Sequence, residues 1–113
     1  MAIPFITDEA ELRCPHCDGL NLHQGTVEVF NPRNEDDLAY PITVTHNDII
    51  RGGDPARNPS SRRQAIVIYF MCETCGDPER ETLALAIQQH KGTTYVKWIE
   101  LPSPITDQTF SNL

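Results

Sequence analysis

The 113-residue sequence predicts a mostly β chain, a small antiparallel sheet carrying one long loop insertion at residues 31–64. Two observations carry this expectation. Runs rich in β-branched and aromatic residues recur at 20–30, 65–71 and 94–101, bounded by Gly, Pro, Asn or Asp. Nine prolines imply a good deal of irregular backbone between them. The length leaves room for a single domain over residues 1–113. Its core must be small, and the hydrophobic content of 39% is low, so a bound ion that adds folding energy would be useful.

Taken in order, residues 1–13 read as an acidic, partly ordered tail. Cys14-Pro15-His16-Cys17-Asp18-Gly19 is a tight turn by composition. Residues 20–30 read as strand with a change of phase: Leu20 and Leu22 share one parity, Val27 and Val29 the other. A bulge at Gly25 would return both pairs to one face. Residues 31–64 break the pattern, with turn-rich polar stretches at 31–37 and 51–63 and one short strand at 42–45. Residues 65–71, Ala-Ile-Val-Ile-Tyr-Phe-Met, are apolar on both parities, which predicts a central strand covered on both faces.

The segment 79–91 carries two conflicting signals. Asp77-Pro78-Glu79 and the terminal Lys91-Gly92 suit a helix. Leu83, Leu85 and Ile87 alternate with Thr82, Ala84, Ala86 and Gln88, which favours a strand over 82–90. Lys91-Gly92-Thr93 then becomes a hairpin turn into a strand at 94–101, which includes Tyr95, Val96, Trp98 and Ile99. The tail at 102–113 reads as extended.

Composition narrows the function. No run approaches the roughly 18 apolar residues of a membrane span. The start has neither a basic region nor a long apolar one, so no secretory signal is expected and the cytoplasm is the expected compartment. There thiols stay reduced. The formal charge is −7; four thiolates on one divalent ion would lower it by four and raise it by two, to −9. Such a chain is repelled by nucleic acid unless it carries a local basic patch.

All four cysteines lie in two C-x-x-C pairs, Cys14/Cys17 and Cys72/Cys75, with Gly19 and Gly76 close behind. Thiolates in such turns hold a tetrahedral ion, and inward-pointing amides disperse their charge. A Gly after the second Cys suits a close, left-handed backbone. Cys14-Pro15-His16-Cys17 before a strand, and a strand into Cys72-Glu73-Thr74-Cys75-Gly76 before a hairpin, resemble the zinc-ribbon family. The resemblance implies one structural Zn²⁺ held by Cys14, Cys17, Cys72 and Cys75 at one end of a small antiparallel sheet. Two features depart from the family pattern. Residues 18–71 separate the pairs by 54 positions, which the insertion at 31–64 explains, and Asp18 stands where the first turn often carries Gly.

Cys-Pro-His-Cys also resembles the active-site tetrapeptide of disulfide oxidoreductases. Asp18-Gly19-Leu20-Asn21 is a poor helix start, however, and that reading leaves the second pair unused. His16, His23, His46 and His90 are read as surface or pairing positions, not ligands. A closed four-thiolate site has no open position for water or substrate, so no enzyme is expected. Residues 51–63 hold Arg51, Arg57, Arg62 and Arg63 against Asp54, a local +3 in an acidic chain. Arginines in such a loop suit phosphate, or else they pair with Glu35, Asp36, Asp37 or the acidic tail. Two roles remain open from sequence: an adaptor that binds a protein partner, and a nucleic-acid or transcription-associated ribbon that uses the basic loop.

Overall fold

A computed structural model describes residues 6–34, 37–60 and 63–102. The β-rich runs form strands β1 (Leu22–Phe30), β2 (Ile42–Val44), β3 (Ile49–Arg51), β4 (Ala65–Cys72), β5 (Leu83–His90) and β6 (Thr93–Ile99). All join one sheet in the order β3-β2-β1-β4-β5-β6, and each neighbouring pair is antiparallel.

The change of phase in β1 is a bulge. Gln24 opposes Phe70 and Val27 opposes Ile68, so three steps on β1 face two on β4. A Cβ at Gly25 would lie 2.1 Å from the Glu81 carboxylate, so a larger residue there would displace that side chain. That carboxylate accepts from the Thr26 amide and, at 3.2 Å, from the Thr26 hydroxyl. Segment 82–90 is strand, as its alternation indicates. Its helix-like preface makes one turn only, with the Glu79 amide donating to Asp77 Oδ1 at 2.9 Å and the Arg80 amide to the Asp77 carbonyl at 3.0 Å. An N-cap and a turn use the same short-range bonds, so the Asp-Pro signal does not distinguish them. Lys91 and Gly92 both have positive φ, 50° and 80°, and form the two-residue hairpin turn that matches strand twist.

The insertion is less loop-like than expected. Besides β2, it contains β3, three residues too short to show a period, which pairs with β2 across a turn closed by the Thr45 amide on the Asp48 carbonyl at 2.9 Å. From the sheet edge at β3 the chain crosses back, and β4 starts beside β1. On that crossing a single 3-10 turn, Pro55–Arg57, begins at Asp54, whose side chain accepts from the Ala56 amide.

The register divides the side chains between two faces. One carries Phe30, Glu28, Thr43, Ala65, Val67, Tyr69, Ala84 and Ala86, all buried. Phe30, Ala65, Val67, Tyr69 and Ala84 pack there with Ala39 of the insertion. The other carries Leu22, Val27, Val29, Ile42, Val44, Ile49, Ile66, Ile68, Phe70, Leu83, Leu85, Ile87, Val96 and Trp98. Its cysteine end is buried around Cys14, Phe70, Cys72, Leu83 and Leu85, with Leu12 packed alongside. Residues 6–12, expected as tail, fold back through an Ile6–Leu12 bridge to supply that cover. β4 is central as expected, but only one of its faces is covered along its whole length: Ile66 remains 37% exposed. The C-terminal tail lies outside the described residues from 103 onward.

A buried ion pair ties the crossing segment to the sheet. Arg57 Nε donates to Glu28 Oε2 at 2.7 Å and Nη2 to Oε1 at 3.0 Å, while Nη2 also reaches the Tyr69 hydroxyl at 2.8 Å. Tyr69 in turn donates to Glu28. The side chains of Arg57 and Glu28 are 7% and 1% exposed. Burial, followed by the bond to Glu28, pushes the Tyr69 hydroxyl pKa up. Burial draws Arg57 down, but the Glu28 carboxylate outweighs it and leaves the guanidinium above its ordinary value. Arg57→Met should cost about 3–5 kcal/mol in chemical unfolding, because the buried Glu28 loses its guanidinium partner. Adding Glu28→Leu should recover most of that loss, and a double variant no better than the single would show that packing, not charge, holds the crossing.

Candidate metal centre

The two cysteine turns meet because β1 and β4 pair. Leu22 opposes Cys72, and one step beyond the Glu73 amide donates to the Asn21 carbonyl at 3.0 Å. This ladder carries the turn before β1 and the turn after β4 to the same end of the sheet. Pairs 54 residues apart in sequence thereby become neighbours.

Each turn is closed by its own backbone. In the first, the Asp18 amide donates to the Cys14 carbonyl at 3.0 Å and the Cys14 amide to the Gly19 carbonyl at 2.9 Å. Asp18 takes the left-handed conformation there, φ 61°, a conformation Asp tolerates better than most residues. The residue that departs from the ribbon pattern is therefore the one that makes the turn. In the second, the Gly76 amide donates to the Cys72 carbonyl at 2.9 Å. Gly76 is not among the positive-φ glycines, so the left-handed backbone expected of it is not what it supplies. It supplies room: a Cβ there would lie 2.6 Å from the Cys72 carbonyl oxygen. Gly19 acts between the turns, where a Cβ would meet Cys17 Sγ at 3.1 Å and Thr74 Oγ1 at 3.2 Å.

All four sulfurs lie within 4.8 Å of one another. Cys14 Sγ is 3.6 Å from Cys75 Sγ, and Cys17 Sγ is 3.6 Å from Cys72 Sγ, so the closest contacts run between turns. None of the four is disulfide-bonded. A tetrahedron of thiolates about 2.3 Å from its ion has edges of about 3.8 Å, which the observed spacing fits. Cys14 and Cys72 are buried and Cys17 and Cys75 exposed, so the site lies at the surface with one side against the core. The chain therefore has four cysteines arranged to hold a metal ion, and among the described residues no other such group occurs.

Backbone amides face the sulfurs, and at Cys72 they favour thiolate. The His16 amide points at Cys14 Sγ and the Gly19 amide at Cys17 Sγ, both at 3.4 Å. The amides of Cys75 and, less strongly, Thr74 draw the Cys72 thiol down to about 6 against desolvation. Contact with the Cys14 and Cys17 sulfurs, followed by burial, pushes Cys75 up to about 12. Four sulfurs without an ion thus oppose one another's ionisation, and a divalent cation removes that conflict. None of the histidines joins the group: His16, His46 and His90 are exposed, and His23 lies 3.5 Å from Glu73 on the surface.

The arginines of residues 51–63 do not form one cluster of free cations. Arg51 is exposed at the end of β3, Arg57 is buried against Glu28 and Tyr69, Arg63 has partners within the fold, and Arg62 lies outside the described residues. Among the described residues, Arg57 pairs with the carboxylate of Glu28 in β1; Glu35 and Asp36 of the acidic stretch lie outside the described residues. Sequence reasoning missed Glu28 and Tyr69. Glu28 did leave a signal, because in β1 it shares a parity with Phe30 and not with Val27 and Val29, which puts a carboxylate on an apolar face.

No helix among the described residues is long and apolar enough to cross a membrane. Comparison of the chain with protein-family models, with curated proteins and with solved structures gives no match.

Acid should release a bound ion. A thiol whose pKa is depressed contributes stability that is present above its ordinary value near 9 and lost as the pH falls through about 6, the value for Cys72. Titration of the loaded protein against a chromophoric metal indicator should show release as the pH drops through and below 6, steeper than one proton because four thiolates are protonated. Release no steeper than one proton would remove ligation by four thiolates.

Proposed function

We propose that the ion is Zn²⁺, that its role is structural, and that the chain is a non-catalytic module of the zinc-ribbon type which serves as a protein-binding adaptor. The observation that carries the reading is the mutual contact of four cysteine sulfurs supplied by two turns at one end of an antiparallel sheet. A tetrahedral set of four thiolates suits zinc or iron, and one closed four-thiolate site suits zinc as a fold-stabilising ion. Four protein ligands complete the tetrahedron and leave no position for a substrate or an activated water. The same closure argues against thiol–disulfide exchange through Cys14 and Cys17, since both sulfurs are committed to the ion.

The adaptor role rests on charge and on the state of the arginines. The chain is acidic, and of the four arginines considered for phosphate, Arg57 is already saturated by Glu28 and Tyr69. Open surface for a protein partner exists at the edge strand β6 and along the insertion, where Leu38 and Tyr40 are exposed.

Elemental analysis of the purified protein should give one zinc per chain. A strong chelator, or Cys72→Ser, should abolish the cooperative melt, since structural zinc contributes about 10–16 kcal/mol of coupled binding and folding, as much as a whole domain's stability. A normal melt without metal would overturn the structural role, and two or more iron atoms with sulfide would replace zinc by a cluster.

Fluorescence anisotropy with mixed-sequence duplex DNA and single-stranded RNA should show no binding at low salt. Binding that weakens steeply with salt and is lost in Arg51→Ala with Arg62→Ala would overturn the adaptor reading in favour of a nucleic-acid ribbon.

A further inference from the structure

Among the described residues, the face of the sheet opposite the Glu28–Arg57 pair is apolar and, away from the cysteines, uncovered. Ile66 decides how to read it. It lies in β4, hydrogen-bonded on one side to β1 and on the other to β5, so its 37% exposure opens through the face and not at an edge. Around it on that face, Ile42, Val44, Ile49 and Val96 are also exposed, with Ile49 at 66%. Val27, Val29, Ile68 and Ile87 fill the spaces between them and are only partly buried.

We infer that this face is a self-association surface, on which a second copy of the chain packs its own sheet around a twofold axis. The inference goes beyond the proposed function and does not depend on the identity of the ion. Three observations select this occupant. First, the open positions run from β3 to β6, five strand spacings or roughly 24 Å, whereas a docked helix covers a strip of about 10 Å. Only another sheet matches that breadth, and β-branched rows on two pleated sheets interdigitate at a separation of about 10 Å.

Second, every Asp and Glu is missing from the strand positions of this face, although the chain carries a formal charge of −7. Arg51 at one corner is its one charged strand residue, and Gln24, Gln89 and Thr94 lie towards its ends. Two copies can meet there without apposing carboxylates, while the remaining surface keeps them apart elsewhere. Third, the area is adequate. The open apolar side chains present roughly 500 Å² per chain, at the upper end of what soluble monomers leave exposed. The polar rim adds to this, and a standard stable interface takes about 800 Å² from each partner. A surface that packs on itself needs no partner of complementary shape, which is the condition for an isologous dimer.

Sedimentation equilibrium of the zinc-loaded full chain from about 5 to 500 µM tests this without any substitution. A dimer is expected, and because its contact is apolar between two acidic copies, raising the salt should strengthen it. Val44→Lys and Ile49→Lys should each weaken dimerisation at least about tenfold while zinc content and the thermal melt stay normal, since both side chains are open in the single chain. Leu38→Lys, on the insertion that packs over the other face, is the control and should leave dimerisation unchanged. A monomer throughout the concentration range overturns the inference; protection of this face from exchange in that monomer would mean that another part of the same chain covers it. A dimer indifferent to Val44→Lys and Ile49→Lys also overturns it, and would point instead to pairing through the β6 or β3 edge.

Discussion

The pairing of β1 with β4 is the constraint on which the remaining structure depends. Each strand is continuous with one cysteine turn, so the ladder from Phe30↔Ala65 to Leu22↔Cys72 sets the distance between the two turns. A one-residue slip would move every side chain of one strand to the opposite face. It would separate Cys14 and Cys17 from Cys72 and Cys75, and would also carry Glu28 away from Tyr69 and Arg57. The Gly25 bulge belongs to the same constraint. Without it, Leu22 beside the cysteines and Val27 and Val29 further along would not lie on one face.

The two ends of this ladder are closed by different chemistry. At one end four sulfurs sit at the spacing of a thiolate tetrahedron, and backbone amides from both turns stand ready to disperse their charge. Along its middle, the crossing segment is pinned through Arg57 to carboxylate and phenol groups of the two central strands. A buried ion pair is a poor source of stability compared with apolar packing, but it is demanding in geometry. Here it specifies where a loop without periodic structure must cross. The insertion thereby becomes part of the core: Ala39 packs on Phe30, Val67 and Tyr69, and Pro41 is fully buried.

The sheet is asymmetric as a result. One face is covered by the chain's own insertion, and the other only at its cysteine end, by Leu12 and the aromatic pair Phe70 and Trp98, whose rings meet edge to face at 5.8 Å. The apolar character of both parities in β4 suits a strand with two covered faces. Among the described residues only one receives its full cover, and the strand positions of the open remainder are broad in extent, β-branched and free of acidic groups. Charge on this protein is thus distributed by face: acidic groups stay off the open apolar rows, while Glu28 on the covered face is matched by Arg57 of the insertion.

Much of this was legible in the residues. Alternation at 82–90 outweighed the Asp-Pro helix signal because side-chain period reports which face is buried, whereas the cap reports only the first turn. The phase change at Gly25 indicated the bulge, and two C-x-x-C pairs with no cysteine left over indicated one four-sulfur site. What the residues left hidden depended on contacts distant in sequence. β3 is too short to carry a period and exists because β2 offers it a partner. Arg57 could not be told from a solvated loop arginine until the crossing put it against Glu28 and Tyr69. The missing cover over Ile66 was equally invisible, because a sequence records that a side chain is apolar but not what lies above it. Local periodicity and spacing therefore determined the strands and the ligand set, while the tertiary structure alone decided which charges are neutralised internally and which apolar surface remains open.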